Sequence, residues 1–183
     1  MISLDEEKQE KTMKILETDR LLLRRLLPGD LDNLYALYSD PEIRRYFPDG
    51  TRTYEETREE LEWFLNGHPD HPELGLWATI HKDTNQFIGR CGLIPWIIDG
   101  VLEVEIAYLL AKPYWNQGLG AEVAQALVRY GFEELHLKRL IALTDAEHEA
   151  SIRTAKKAGL VFDREIDMDG VLSLVYAITN GRL

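Results

Sequence analysis

A chain of 183 residues with 45% hydrophobic and 29% charged side chains has the size and composition of one globular domain. Its formal net charge of −11 would repel a phosphate backbone, so the composition argues against a nucleic-acid partner. Without a run of roughly 18 uncharged apolar residues we expect no membrane span, and with a single cysteine, Cys91, no intramolecular disulfide, so we expect a cytoplasmic protein.

The first residues alternate acids and lysines where a secretory signal would need an apolar run. We expect residues 1–14 to form a flexible N-terminal lead-in and residues 15–183 to form a single domain.

The first half of that domain predicts a strand, two helices and a three-stranded meander. Pro28 and Gly29 end the first strand, and Thr53 with Glu56 has the capping-box order that begins the second helix. The predicted strands span residues 19–27, 75–81, 87–95 and 101–110, and Asp99 with Gly100 forms the turn between the last two.

The second half predicts helices at about 118–134 and 149–158, the latter ending at Gly159 in a left-handed position. Strands are expected at 140–144, 161–168 and 171–179, with a hairpin turn at Asp169 and Gly170. The seven predicted strands and the helices between them indicate an α+β fold with one mixed sheet and helices on both of its faces.

The segment from Glu103 to Glu122 carries the most specific chemical signal. A strand leads through a loop into Gly118-Leu119-Gly120 at a helix start, where free backbone N–H groups and the helix dipole favour an anion. The chain lacks the GxxxxGK[ST] motif and a GxGxxG after its first strand, which disfavours kinases and dinucleotide oxidoreductases. We therefore expect a pyrophosphate on the amides of Gln117 to Ala121.

Three ordered segments resemble the GNAT N-acetyltransferases, in particular the branch of ribosomal-protein N-terminal acetyltransferases. They are ETDRLLLRRLLPGDLDNLYALYSDPEIRRYF, EIAYLLAKPYWNQGLGAEV and DAEHEASIRTAKKAGL. The resemblance implies a mainly antiparallel seven-stranded sheet that is splayed at its middle strand. It also implies acetyl-CoA as the acetyl donor, with no metal, and an amine as the acceptor.

The resemblance further implies which residues contact acetyl-CoA. The pantetheine would enter the splay beside the strand edge, and the diphosphate would lie on the helix start. His148 stands where the family has Asn, Leu160 where it has Phe, and Ala155 where many members have a tyrosine that protonates the thiolate. The implied cofactor-binding residues are Ala107, Tyr108, Leu109, Leu110, Ala111, Gln117, Gly118, Leu119, Gly120, Ala121, His148 and Ser151.

Acetyl transfer needs a base that removes a proton from the amine, and a carboxylate near the splay can do this. Glu105 is the first candidate because it resembles the acid of that branch, and Glu103 is the second. The alternation V-E-V-E-I puts both carboxylates on one strand face, where mutual repulsion would raise at least one pKa. A solvated charged face is the alternative interpretation.

The departing thiolate must receive a proton, for which Ser151 is the family-like donor and His148 a substitute. A strand N–H such as that of Ala107 would hold the developing oxyanion. His68 and His71 lie in a proline-rich loop without a third ligand, so no metal site is predicted.

Several alternatives stay open at this point. The acceptor is either a protein or peptide N-terminus or a small amine, and the loop residues Arg44, Arg45, Tyr46 and Phe47, together with Trp96, are candidates to contact it. A non-catalytic acetyl-CoA-binding sensor or structural module is the competing function. A homodimer is possible because the apolar final strand, residues 171–179, would need cover.

Overall fold

The computed structural model describes residues 14–168 and 170–181. Most of the predicted lead-in, residues 1–13, and the turn residue Asp169 therefore lie outside the described residues. Lys14, the last residue assigned to that lead-in, is the first residue of a strand.

The described part of the chain contains eight strands and four helices, with short 3-10 turns at Pro28–Asp30 and Lys112–Tyr114. The strands are β1 (Lys14–Glu17), β2 (Leu21–Arg25), β3 (Gly75–His81), β4 (Gln86–Ile98), β5 (Val101–Leu110), β6 (Arg139–Thr144), β7 (Val161–Met168) and β8 (Val171–Thr179). The helices are α1 (Leu31–Tyr38), α2 (Tyr54–Phe64), α3 (Leu119–Glu133) and α4 (Glu149–Lys157).

All eight strands form one sheet in the order β1-β2-β3-β4-β5-β6-β8-β7, and every neighbouring pair is antiparallel except β5 with β6. The predicted mixed, mainly antiparallel sheet is thus confirmed, but its strand number is eight and not seven. The additional strand is β1, which pairs with β2. Its four residues are too few for an alternating pattern to be recognised in the sequence.

The sheet opens in its middle, between β5 and β6. These parallel strands share one paired position, Glu105 opposite Ile141. Beyond Glu105, β5 continues through Leu110 with β4 as its partner on one side. The predicted splay is therefore confirmed, and the edge of β5 that faces the opening has backbone groups available to a ligand.

Helices cover both faces of the sheet, as predicted. On one face α3 and α4 pack through Leu119, Val123, Leu127 and Ala155 against buried strand residues such as Leu93. On the opposite face, α1 and α2 pack on another cluster that includes the side chains Leu34, Leu37, Leu61, Phe64, Ala78, Ile80, Ala107 and Leu109. Burial of these two apolar layers is the main stabilising contribution.

Local signals set the element ends where the sequence predicts them. Thr53 and Glu56 form the expected capping box, since Thr53 Oγ1 accepts from the Glu56 amide at 3.2 Å and the Thr53 amide donates to Glu56 at 2.7 Å. Asp99 and Gly100 both have positive φ and close the two-residue turn between β4 and β5.

Candidate active site

Glu105 lies at the point where the two halves of the sheet separate. Its strand neighbours are Ile94 on β4 and Ile141 on β6. The indole N–H of Trp96 donates a hydrogen bond to Glu105 Oε2 at 2.7 Å, and the backbone amide of Leu143 donates another. Groups from both neighbouring strands therefore hold the carboxylate.

The surroundings of Glu105 raise its pKa to about 7, although solvent still reaches part of the side chain. Burial is the largest cause, because a poorly solvated environment disfavours the charged form. The hydrogen bonds from Trp96 and Leu143 and the positive charge of Arg90 act in the opposite direction without outweighing burial. A carboxylate with such a pKa is suited to accept a proton at neutral pH.

Glu103, the second candidate base, is held in an ion-pair network. Its side chain is 6% exposed, and its carboxylate lies 3.0 Å from Arg139 Nε and 3.6 Å from a terminal nitrogen of Arg164. Arg139 also pairs with Asp163 at 2.9 Å. The pKa of Glu105 is raised, as predicted, but the predicted cause was repulsion between two carboxylates. The cause in the structure is the burial of Glu105.

Tyr108 and Ser151 connect β5 to α4. The Tyr108 hydroxyl lies 3.0 Å from Ser151 Oγ and donates to the Ser151 carbonyl oxygen at 3.1 Å. Burial raises the pKa of Tyr108 to about 12, and the nearby charge of Glu105 also raises it. The Tyr108 hydroxyl therefore stays protonated at neutral pH. The resemblance assigned Tyr108 to the cofactor edge, and its contact with Ser151 was not foreseen.

Glu105 and Tyr108 point to opposite faces of β5, because successive side chains alternate along a strand. Ala107 and Leu109, which share the face of Glu105, pack with α1 and α2. Tyr108 packs instead with the cluster of α3 and α4. The sheet thus separates the carboxylate from the hydroxyl pair of Tyr108 and Ser151.

His148 immediately precedes α4 and stacks on Tyr46, with ring centroids 4.1 Å apart and an interplanar angle of 14°. Burial lowers the pKa of His148, so its ring is neutral at neutral pH. The stack connects the loop after α1 with the start of α4. Both residues were candidates for the site, but no local pattern indicated that they touch.

Among the other candidate acceptor residues, Arg44 is occupied within its own loop. Its side chain is buried, its Nε donates to the Gly50 carbonyl at 2.7 Å, and its guanidinium lies 4.1 Å from the centroid of the Phe47 ring. Arg45 is exposed and lies over Tyr46 at 5.3 Å. Arg45 and Trp96 are therefore the exposed members of the predicted acceptor set, whereas Tyr46 and Phe47 are half-buried.

The start of α3 has the form of an anion cradle. Gly118 is the N-cap residue with φ of +80°, a left-handed conformation that glycine adopts without strain. It offers no side chain to accept from the amides of Leu119, Gly120 and Ala121, which lie in the first turn. These amides and the helix dipole favour a phosphate group.

Two side chains hold the loop before α3, one from the loop itself and one from the turn between β1 and β2. Trp115 Nε1 donates to the Leu110 carbonyl at 2.7 Å, and Arg20 donates to the Gln117 carbonyl at 3.0 Å. Arg20 also pairs with Glu122 at 2.6 Å. The sequence analysis missed the pair of Arg20 and Glu122, because 102 positions separate the partners and no local motif links them.

The opening and the cradle together fit acetyl-CoA. The edge of β5 beyond Glu105 borders the opening, where a pantetheine can lie, and the amides of the first turn of α3 suit a diphosphate. Of the residues implied to line this edge, Leu110 already accepts from Trp115 at its carbonyl, and the Ala111 amide donates to the Ile88 carbonyl. Within the described ranges, no group of three or more His, Cys, Asp or Glu side chains is arranged to hold a metal. None of the helices in those ranges is long and apolar enough to span a membrane.

Comparison with known proteins identifies relatives over most of the chain. The family model described as acetyltransferase (GNAT) domain matches residues 20–161. The uncharacterised protein YkkB of Bacillus subtilis is 34% identical over 152 residues, which cover 82% of this chain and 87% of YkkB. An uncharacterised N-acetyltransferase of Bacillus licheniformis, p20, is 31% identical over 158 residues, covering 84% and 88% of the two chains.

Solved structures share the fold. A GNAT-family acetyltransferase from Bacillus anthracis has a TM-score of 0.78 and 26% identity, covering 91% of this chain and 98% of its own. At lower identity, the fold alone is shared with a RimL ribosomal L7/L12 acetyltransferase in complex with coenzyme A (TM-score 0.73, 17% identity, 91% and 97% covered). It is also shared with AAC(6')-Ib in complex with paromomycin and acetyl-CoA (TM-score 0.73, 19% identity, 90% and 96% covered). This chain belongs to the GNAT family and is an acetyl-CoA-dependent acyltransferase.

Proposed function

We propose that this protein transfers the acetyl group of acetyl-CoA to a primary amine by direct attack of the amine on the thioester, with Glu105 as the general base. The observation that carries the proposal is the position of Glu105, where β5 leaves β6, combined with a pKa of about 7. Acetyl-CoA supplies the thioester carbonyl that the amine attacks.

Glu105 faces the α1 and α2 side of the sheet, so the amine would approach from that side. Trp96 lies beside the carboxylate, and the stacked rings of Tyr46 and His148 lie between the loop after α1 and α4. We assign both groups of aromatic side chains to the acceptor site. The carboxylate accepts the proton that the amine must lose for its lone pair to attack.

A proton donor for the departing thiolate lies on the opposite face of β5. We assign this role to the pair of Ser151 and Tyr108, whose hydroxyl oxygens are 3.0 Å apart. The pair replaces the tyrosine that many family members place where this chain has Ala155. The neutral ring of His148 would contact the cofactor in place of the family Asn, as donor or acceptor.

The acceptor is a primary amine on either a protein or peptide N-terminus or a small molecule. RimL is named for a protein substrate, whereas AAC(6')-Ib is in complex with paromomycin, a small molecule. The net charge of −11 favours encounter with a cationic acceptor of either kind.

The test is a comparison of the wild type with Glu105→Gln, by calorimetric titration with acetyl-CoA and by thiol release over a panel of amines and N-terminal peptides. Because Gln keeps the shape of the side chain but accepts no proton, kcat should fall by about 10² to 10⁴-fold. The dissociation constant for acetyl-CoA should stay within about twofold of the wild-type value, since the cradle is unchanged.

Glu103→Gln is the matched control, two residues along the same strand. It removes a charge from the Arg139 ion pairs, so it should lower the melting temperature without abolishing turnover. Equal activity of Glu105→Gln and the wild type would exclude Glu105 as the base. Binding of acetyl-CoA by the wild type without turnover of any acceptor would favour the sensor or structural module.

A further inference from the structure

The indole of Trp96 makes a direct contact with the proposed base. Its Nε1 lies 2.7 Å from Glu105 Oε2, and the residue is 37% exposed, so one edge of the ring meets the carboxylate and part of the ring is open to solvent. Of the described hydrogen bonds, this is the one that a side chain makes to the Glu105 carboxylate.

The β4–β5 hairpin produces this contact through its register. Ile98 pairs with Val101 next to the turn, which places Trp96 opposite Glu103 and Ile94 opposite Glu105. Trp96 and Glu105 are therefore diagonal neighbours on one face of the hairpin. Diagonal positions are within reach of a long aromatic side chain, so the indole N–H can extend to the carboxylate.

The hydrogen bond from Trp96 determines which lone pairs of the Glu105 carboxylate stay free to accept a proton. Indole has a donor and no acceptor, so it cannot take the proton that Glu105 receives, whereas it can hold Oε2 before and after that transfer. The accepted proton is thereby directed to the remaining lone pairs of the carboxylate. The other groups that act on the Glu105 carboxylate are the Leu143 amide of β6 and the Arg90 charge of β4. The charge of Glu105 in turn raises the pKa of Tyr108, which lies on the opposite face of β5.

We propose that Trp96 is a positioning residue, which holds the Glu105 carboxylate through the indole N–H in the orientation that accepts the proton of the amine. The proposal rests on the assignment of Glu105 as the base. The indole also favours the ionised carboxylate, because a hydrogen bond to the charged form stabilises that form.

Trp96→Phe tests this by removing the N–H while keeping an aromatic ring over the site. Losing the hydrogen bond raises the pKa of Glu105, so the acidic limb of the kcat–pH profile should move upward by about one pH unit. At pH 7 that shift lowers kcat by about fivefold, and most of the rate should return near pH 9. KM for acetyl-CoA should not change.

Trp63→Phe is the matched control, since Trp63 lies on α2 and is 55% exposed. It should leave the profile unchanged. An unshifted profile for Trp96→Phe, with Glu105→Gln inactive, would overturn the role of Trp96 and leave Glu105 as the base. An active Glu105→Gln would instead overturn the proposed function. Adding Trp96→Phe to Glu105→Gln should cause no further loss of kcat, because the indole acts through Glu105.

A second measurement needs no tryptophan variant. The chain has four tryptophans, and we expect one of their four indole N–H signals in the wild-type NMR spectrum to titrate with a midpoint near pH 7. That titration should be absent in Glu105→Gln. If no indole signal follows this titration in the wild type, the proposed contact is wrong.

Discussion

At the scale of single residues, the contact between Tyr108 and Ser151 places two hydroxyl groups where α4 meets the opening of the sheet. The position that many family members fill with a tyrosine holds Ala155, which is buried and has no proton to give. A tyrosine from β5 can substitute for one from α4, because β5 passes directly beside that helix at Ser151. In the proposed mechanism the proton donor therefore comes from a different element.

Tyr108→Phe should lower kcat by about 10 to 100-fold and leave the acetyl-CoA dissociation constant unchanged, since it removes the hydroxyl and keeps the ring. Thiol release at saturating acetyl-CoA and calorimetry measure the two quantities. Tyr54→Phe is the control, because the Tyr54 hydroxyl contacts Asp32 at the surface. If Tyr108→Phe keeps the wild-type kcat while Ser151→Ala is slow, the role of proton donor belongs to Ser151 alone.

At the scale of elements, the N-terminus of α3 depends on one backbone conformation. Gly118 has φ of +80°, and a Cβ added there would have its nearest contact at 3.7 Å, with Arg20. A side chain at this position therefore meets no steric barrier from its neighbours. Its cost is conformational, about 1 to 2 kcal/mol for a left-handed residue that is not glycine.

Gly118→Ala should lower the melting temperature and weaken acetyl-CoA binding by about tenfold, because relief of the strain reorients the first-turn amides. Gly170→Ala is the matched control, with φ of +86° in the β7–β8 hairpin and nothing near its added Cβ. Gly170→Ala should lower the melting temperature by a similar amount and leave acetyl-CoA binding unchanged. Equal dissociation constants for both variants, measured by calorimetry, would argue against the cradle.

At the scale of the whole molecule, the strand order decides which strands lie at the two outer edges of the sheet. The final strand β8 was expected to need cover, but it lies between β6 and β7 and is not an edge. The edge strands of the described sheet are β1 and β7, and β7 exposes Val161 and Phe162. A homodimer, a single domain over residues 15–183 and a cytoplasmic location stay predictions.

Folding stability should report the environment of Glu105. Its pKa is about 7 in the folded protein, compared with an ordinary value of 4.5, so the folded state binds the proton more tightly. The contribution of Glu105 to stability is therefore complete below pH 4.5 and is lost as the pH rises through 7. Relative to the wild type, Glu105→Gln should gain melting temperature from pH 4.5 to 7 and then level off.

Thermal unfolding from pH 4.5 to 8.5 measures this difference. Glu149→Gln, on the exposed side of α4, is the matched carboxylate-to-amide control. A constant difference between Glu105→Gln and the wild type would mean that Glu105 is well solvated in the folded state. With the expected result, Glu105→Gln would lose activity while gaining stability relative to the wild type as the pH rises from 4.5 to 7, as expected where a buried carboxylate serves a function.

The sequence alone determined the features that depend on neighbouring residues. Turn residues, caps and alternation predicted seven of the strands and all four helices, and three ordered segments indicated the family, the cradle at Gly118 and the candidate base Glu105. The short strand β1 was missed because four residues carry too little pattern.

Only the tertiary structure decided which side chains meet. Trp96 contacts Glu105 through hairpin register, Tyr108 contacts Ser151 across 43 positions, and Glu103 is neutralised by arginines from other strands. The physical reason is that burial and partner choice, which set a pKa and hold a carboxylate, arise from packing between distant elements. A one-dimensional pattern records which face a residue occupies, and the packing of the sheet with its helices decides what that face touches.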